Sequence, residues 1–119
     1  MKNTHEALRN IHNVLRVNGV LAITVPPLKH QIVGGHVSLW NAGLLLYRLV
    51  LAGFDCRHAA VHTYDYNCSV IVRRDPIDLH KIRLNNDAGD LETLAQYLPV
   101  KVVSDSFDGV ISNLNWGTV

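Results

Sequence analysis

The chain reads as a small α/β domain, and three stretches carry that reading. Val20 to Val25 is an apolar, β-branched-rich run of strand length, set between a helix pattern and the pair Pro26-Pro27. Ala42 to Ala52 has the composition of a buried helix, opened by Asn41 and closed by Gly53. Phe54 to Tyr64 and Cys68 to Arg73 are two β-rich runs, and the short connection Asp65-Tyr66-Asn67 makes them an antiparallel hairpin. With 119 residues the chain is one domain at most, long enough to bury a core.

The first helix is expected from Asn3, an N-cap, with Glu6 three residues on to answer the free amides of the first turn. Ala7, Leu8, Ile11, Val14 and Leu15 recur at helical spacing and form its apolar stripe; Glu6, Arg9, Asn10, Asn13 and Arg16 take the other side. This helix is expected to pack on the strand that follows. Gly19, after Asn18, can take the left-handed backbone that ends it.

Val20–Val25 is apolar on both faces, which predicts a strand covered on both sides, such as a central parallel strand. Pro26-Pro27 stops it, and ligands of open α/β sheets bind beyond the carboxyl ends of such strands. The long loop from Pro26 to Leu39 is therefore the first place to seek function. Lys29, His30 and His36 are its titratable groups, and Gly34-Gly35 lets the backbone bring His36 close to a ligand.

In the second helix Leu44, Leu45, Leu46, Tyr47, Leu49, Val50 and Leu51 leave little polar face, so it is expected to be buried on more than one side. Trp40 before it has two readings, a substrate platform or a staple that holds the helix entry. On the first hairpin strand His58, Ala60, His62 and Tyr64 share a face by the period of two. No carboxylate or cysteine completes a metal site with the two histidines, and a solvated strand face accounts for them.

Residues 76–119 read as a tail on a 1–75 half-domain. Asp90 to Tyr97 is a short helix with Asp90 capping and Pro99 closing it, Val100 to Val103 a short strand, and Phe107 and Trp116 pin the tail to the body.

Composition excludes several functions. Eleven basic and ten acidic residues nearly cancel, so no general electrostatic grip on nucleic acid or an anionic membrane is expected. The apolar run Leu44 to Phe54 is interrupted by Arg48 and too short to span a bilayer. Cys56 and Cys68 stand too far apart for a Cys-x-x-Cys motif and read as small buried residues of a reduced, cytoplasmic protein.

Leu15 to Pro26, Leu-Arg-Val-Asn-Gly-Val-Leu-Ala-Ile-Thr-Val-Pro, and Leu44 to Asp55, Leu-Leu-Leu-Tyr-Arg-Leu-Val-Leu-Ala-Gly-Phe-Asp, separated by a long loop, resemble the second half of a class I S-adenosylmethionine-dependent methyltransferase. The resemblance covers Thr4 to Arg74. It implies a C-terminal half of a Rossmann-like methyltransferase sheet, with one parallel-type strand and an antiparallel hairpin in the order fifth, seventh, sixth, covered by two helices. It implies S-adenosylmethionine as cofactor and a small-molecule acceptor contacted by Lys29, His30, Gly35, His36 and Trp40. His36 is the group suited to accept the acceptor's proton, because an imidazole titrates near working pH; the other reading of His36 is a hydrogen bond that ties the loop to the body of the fold.

The chain departs from that family where the cofactor binds. It has no Gly-x-Gly, and Gly34-Gly35 does not open a helix after a strand. Cofactor-binding residues are therefore not assigned, and the resemblance implies a chain inactive alone. The noncatalytic alternative is an α/β module that contacts a partner or itself. In either case the edge of Val20–Val25 is expected to be open to pairing with a second copy, or covered by the tail.

Overall fold

The structure, a computed structural model, describes residues 4–26, 40–64, 67–75, 77, 90–103, 106–107 and 109–116. Helix α1 spans Thr4–Val14 and strand β1 Val20–Val25; helix α2 is Ala42–Leu51, strands β2 and β3 are Ala60–Tyr64 and Asn67–Arg73. The tail contributes helix α3, Asp90–Leu94, a 310 turn over Ala95–Tyr97, and the two-residue strand β4, Asn113–Leu114. The strands form one antiparallel four-stranded sheet in the order β1-β3-β2-β4.

The order β1-β3-β2 is the one expected of the first strand and the hairpin. It arises because Val20 pairs with Arg73 and Val25 with Cys68, so the second hairpin strand, not the first, lies against β1. Tyr64 and Asn67 are the closing pair of the hairpin, so Asn67 belongs to β3 and not to the connection. The expected run from Phe54 begins as a strand only at Ala60. Before it, the Asp55 carboxylate accepts the Arg57 N–H at 3.1 Å and grips the Arg57 guanidinium at 2.7–3.1 Å, a local turn that competes with extension.

The core lies between the sheet and α2. Leu45, Leu46, Leu49 and Val50 of α2 meet Val61 of β2 and Cys68, Val70 and Val72 of β3 in one apolar cluster. Leu94, Leu98 and Ile111 of the tail share that cluster. Helix α1 packs chiefly on α2 rather than on β1. The buried face of α2 thus has the sheet on one side and α1 on another, while Leu44 and Arg48 keep an exposed stripe.

Three local expectations are corrected. The apolar stripe of α1 does not include Val14, which is 82 % exposed; His12 takes the buried position instead. The left-handed residue after α1 is Asn18, at φ 66°, and not Gly19. Gly19 is required for closeness, since a Cβ there would stand 2.9 Å from the Arg16 carbonyl oxygen. Finally, β1 is covered on one face only: Leu21, Ile23 and Val25 are half-buried against the core, whereas Val20, Ala22 and Thr24 are exposed.

The tail closes one sheet edge. Leu114 pairs with Val61 and Asn113 with His62, so β4 borders β2 and, among the described residues, β1 is the other edge. The expected strand at Val100–Val103 is reduced to a single bridge between Val103 and Ser106.

Candidate functional site

Lys29, His30, Gly35 and His36, with the rest of the expected ligand loop, lie outside the described residues. Of the sequence-derived candidates, the structure places Trp40. Its side chain is 9 % exposed and belongs to the core cluster, immediately before the Asn41 cap of α2.

The start of α2 opens into a pocket of about 460 Å³, lined by Asn41, Gly43, Leu44, Tyr47, Leu91, Phe107 and Gly109. Its size falls within the range of small-molecule sites. The Asn41 side chain accepts the Leu44 N–H at 2.7 Å, which fixes the helix start. Gly43 N–H donates to the Gly109 carbonyl at 3.0 Å, and a Cβ on Gly109 would come within 2.8–3.0 Å of the Asn41 amide. The pocket is thus built by seating the tail directly on a helix cap. Its walls are mainly apolar, with the Asn41 amide as its polar side chain besides the Tyr47 phenol.

A second constellation occupies the sheet face turned away from α2. The His62 ring lies between Tyr64, at a centroid distance of 5.2 Å, and Trp116, at 5.3 Å, with planes inclined by 23° and 22°. Residues 62 and 64 share this face by the strand period, and β4 delivers Trp116 to it from the other side. Next to the stack the Tyr64 hydroxyl is 3.0 Å and the Thr24 hydroxyl 2.8 Å from Ser69 Oγ. Thr24, Ser69 and His62 are neighbours across three strands, which explains the alignment. His62 Nδ1 is buried and meets no hydrogen-bond partner among the described residues. The hydroxyls bond one another rather than an imidazole, so they form a cross-strand clamp and not an activated nucleophile.

Sequence reading placed His62 and Tyr64 on one face and expected Trp116 to anchor the tail, but not that Trp116 reaches His62. Only the β2–β4 register joins them, and a two-residue strand leaves no periodicity to read. His58, expected on the same face, stands in the exposed turn before β2. Both cysteines are free and buried, and burial raises both thiol pKa values, which keeps them protonated.

Among the described residues no group of three histidine, cysteine or acidic side chains is placed to hold a metal ion, and no helix is long and apolar enough to cross a membrane. In comparisons with protein-family models, with characterised proteins and with solved structures, nothing matches this chain.

Proposed function

We propose that these residues form the substrate-side half of an S-adenosylmethionine-dependent methyltransferase acting in the cytoplasm. The observation that supports the reading is the incomplete sheet. Its strands run β1-β3-β2-β4, α2 with α1 beside it covers one face, and no described residue pairs with the outer edge of β1. A domain that ends its sheet at a six-residue apolar strand is suited to receive further strands there.

The chain does not itself provide the cofactor's cradle, because it contains no Gly-x-Gly turn. The tail, a second copy of the chain or residues beyond these 119 would have to supply it. Methyl transfer from a sulfonium relies on in-line positioning more than on acid–base chemistry, so the acceptor side needs a shaped pocket above all. The pocket at the start of α2 suits a small, largely apolar acceptor, and the segment with Lys29, His30, Gly35 and His36 enters α2 through Trp40 and Asn41, the latter a pocket wall.

Calorimetric titration of the folded chain with S-adenosylmethionine and S-adenosylhomocysteine tests this function. Micromolar binding supports a cofactor site assembled by this chain or its oligomer. No heat from a chain whose circular dichroism shows it folded puts a second reading in its place, a noncatalytic α/β module that associates with itself. That reading is favoured by Val14, Val17 and Val20, which are 82 %, 59 % and 52 % exposed within one short stretch leading into the edge strand.

A further inference from the structure

The hydrogen-bond phase of the sheet determines which backbone groups of β1 face outward. Thr63 N–H donates to the Ser112 carbonyl at 2.8 Å, so Thr63 turns its backbone groups toward β4's side of β2. In an antiparallel ladder these directions alternate, so His62 and Tyr64 turn theirs toward β3, and Ser69 and Asn67 return them. Cys68, Val70 and Val72 then face β1, where their partners are Val25, Ile23 and Leu21. The bond from Arg74 N–H to the Gly19 carbonyl, 2.7 Å, sets the same phase independently at the other end. The amides and carbonyls of Val20, Ala22 and Thr24 therefore point out of the sheet, and no described residue pairs with them.

We propose that a second copy of this chain binds this edge, β1 against β1 in antiparallel register about a two-fold axis at Ala22, joining two four-stranded sheets into one. The strand is complementary to itself in that register. Ala22 opposes its own copy, Val20 opposes Thr24, and Leu21 opposes Ile23, so every residue meets one from the same face. All three outward residues then exchange their N–H and C=O groups, about six hydrogen bonds by the antiparallel rule. Ala22, the smallest side chain of β1, sits where the two copies approach on the exposed face.

The edge also lacks what keeps edge strands apart. Val20–Val25 contains no charge, no proline and no bulge against β3. The formal net charge of +1 gives two copies little reason to repel. One strand pair buries less than the roughly 1,200 Å² typical of a stable interface. Val14, the last residue of α1, and Val17, in the turn before β1, are also exposed. The opposite edge of the sheet is β4, only two residues long. The pairing takes the edge that the methyltransferase reading leaves for further strands, so it is a property of the chain without them, and its test involves no cofactor.

Sedimentation equilibrium of the full chain over a hundredfold concentration range reads the pairing directly. The expected result is a reversible approach to twice the mass of one chain. Ala22→Pro removes an N–H that the β1–β3 ladder does not use, so it should weaken association at least about tenfold while leaving the circular dichroism unchanged. Should that proline unfold the chain, Ala22→Lys places like charges face to face on the axis and should weaken association likewise. A monomer at all concentrations, or a dimer whose mass survives whichever of these two variants folds, overturns the proposal.

Discussion

The imidazole of His12 stands edge-on to the ring of Phe54, with centroids 4.8 Å apart and planes at 89°. This contact joins α1 to the turn that ends α2. His12 is 6 % exposed, and neither ring nitrogen has a hydrogen-bond partner among the described residues. Gly53, at φ 110°, lies under the same ring: a Cβ there would be 3.4 Å from His12 Cε1 and Nε2. A histidine so placed serves as an aromatic packing group, and its proton affinity becomes a property of the fold.

Burial is the largest influence and lowers the His12 pKa below 6.5; the charges of Arg74 and Arg9 act in the same direction, and the Asn13 side chain and the Gly53 backbone oppose them in part. Between the lowered folded value and 6.5 the unfolded chain binds more protons, so the stability contribution rises with pH. It is fully present above about 6.5, falls as the pH drops below that value, and is lost once the pH passes the folded pKa. Urea unfolding at pH 7.5 and pH 5.5 should show a smaller acid-side loss in His12→Leu than in the parent chain. An equal loss in both would contradict this account of His12.

Gly53 is held at a positive φ while its backbone bonds to Val50 and Ile77 tie the α2 end to the strip after β3. Gly53→Ala should therefore cost about 1–2 kcal/mol, the penalty for an L-residue with a positive φ. Thermal unfolding of the variant checks it. A melting temperature unchanged from the parent would mean that the turn is not formed as described.

At the other end of α2, Asn41→Ala should cost about 1 kcal/mol by removing the acceptor for Leu44 N–H. Gly109→Ala should also destabilise, because its methyl would displace the same side chain. Since both changes strike one contact, the double variant should lose less than the sum of the two single losses. Strict additivity in denaturant titrations would show that the tail does not sit on this cap.

Trp116→Ala should lower stability by about 1 kcal/mol through loss of its stacking on His62. The same change in a His62→Ala background should cost less. A double-mutant cycle by chemical denaturation gives the coupling; a value near zero would contradict the stack.

Much of the sheet could be read from residue patterns. The β-branched run at Val20 and the paired runs around Asp65 and Tyr66 specify three strands, and their antiparallel hairpin forces either β2 or β3 against β1. What escaped reading depends on contacts between distant segments. An apolar strand looks the same with one face covered or two, so β1 was expected to be covered on both faces, whereas Ala22 and Thr24 are exposed. Polar His12, not Val14, takes the core position because its ring packs on Phe54, which lies far along the chain. Asn18 and Gly19 were correctly read as a helix terminus with their roles exchanged: Asn tolerates the left-handed region, and only glycine tolerates the Arg16 carbonyl so near. Among the site candidates, Trp40 falls within the described residues, and the Trp116–His62 stack had no local signature at all.

The central claim is that no described residue pairs with the outer hydrogen-bonding groups of β1, and that a second copy of the chain takes them. Residue-resolved amide hydrogen exchange across a dilution series measures this most directly. Leu21, Ile23 and Val25, bonded to β3, should exchange slowly at every concentration. Val20, Ala22 and Thr24 should exchange fast when dilute and slow down as concentration rises. Slow exchange of these three at all concentrations would mean that the chain covers its own edge, and fast exchange throughout would mean that no second copy pairs there; either result contradicts the account.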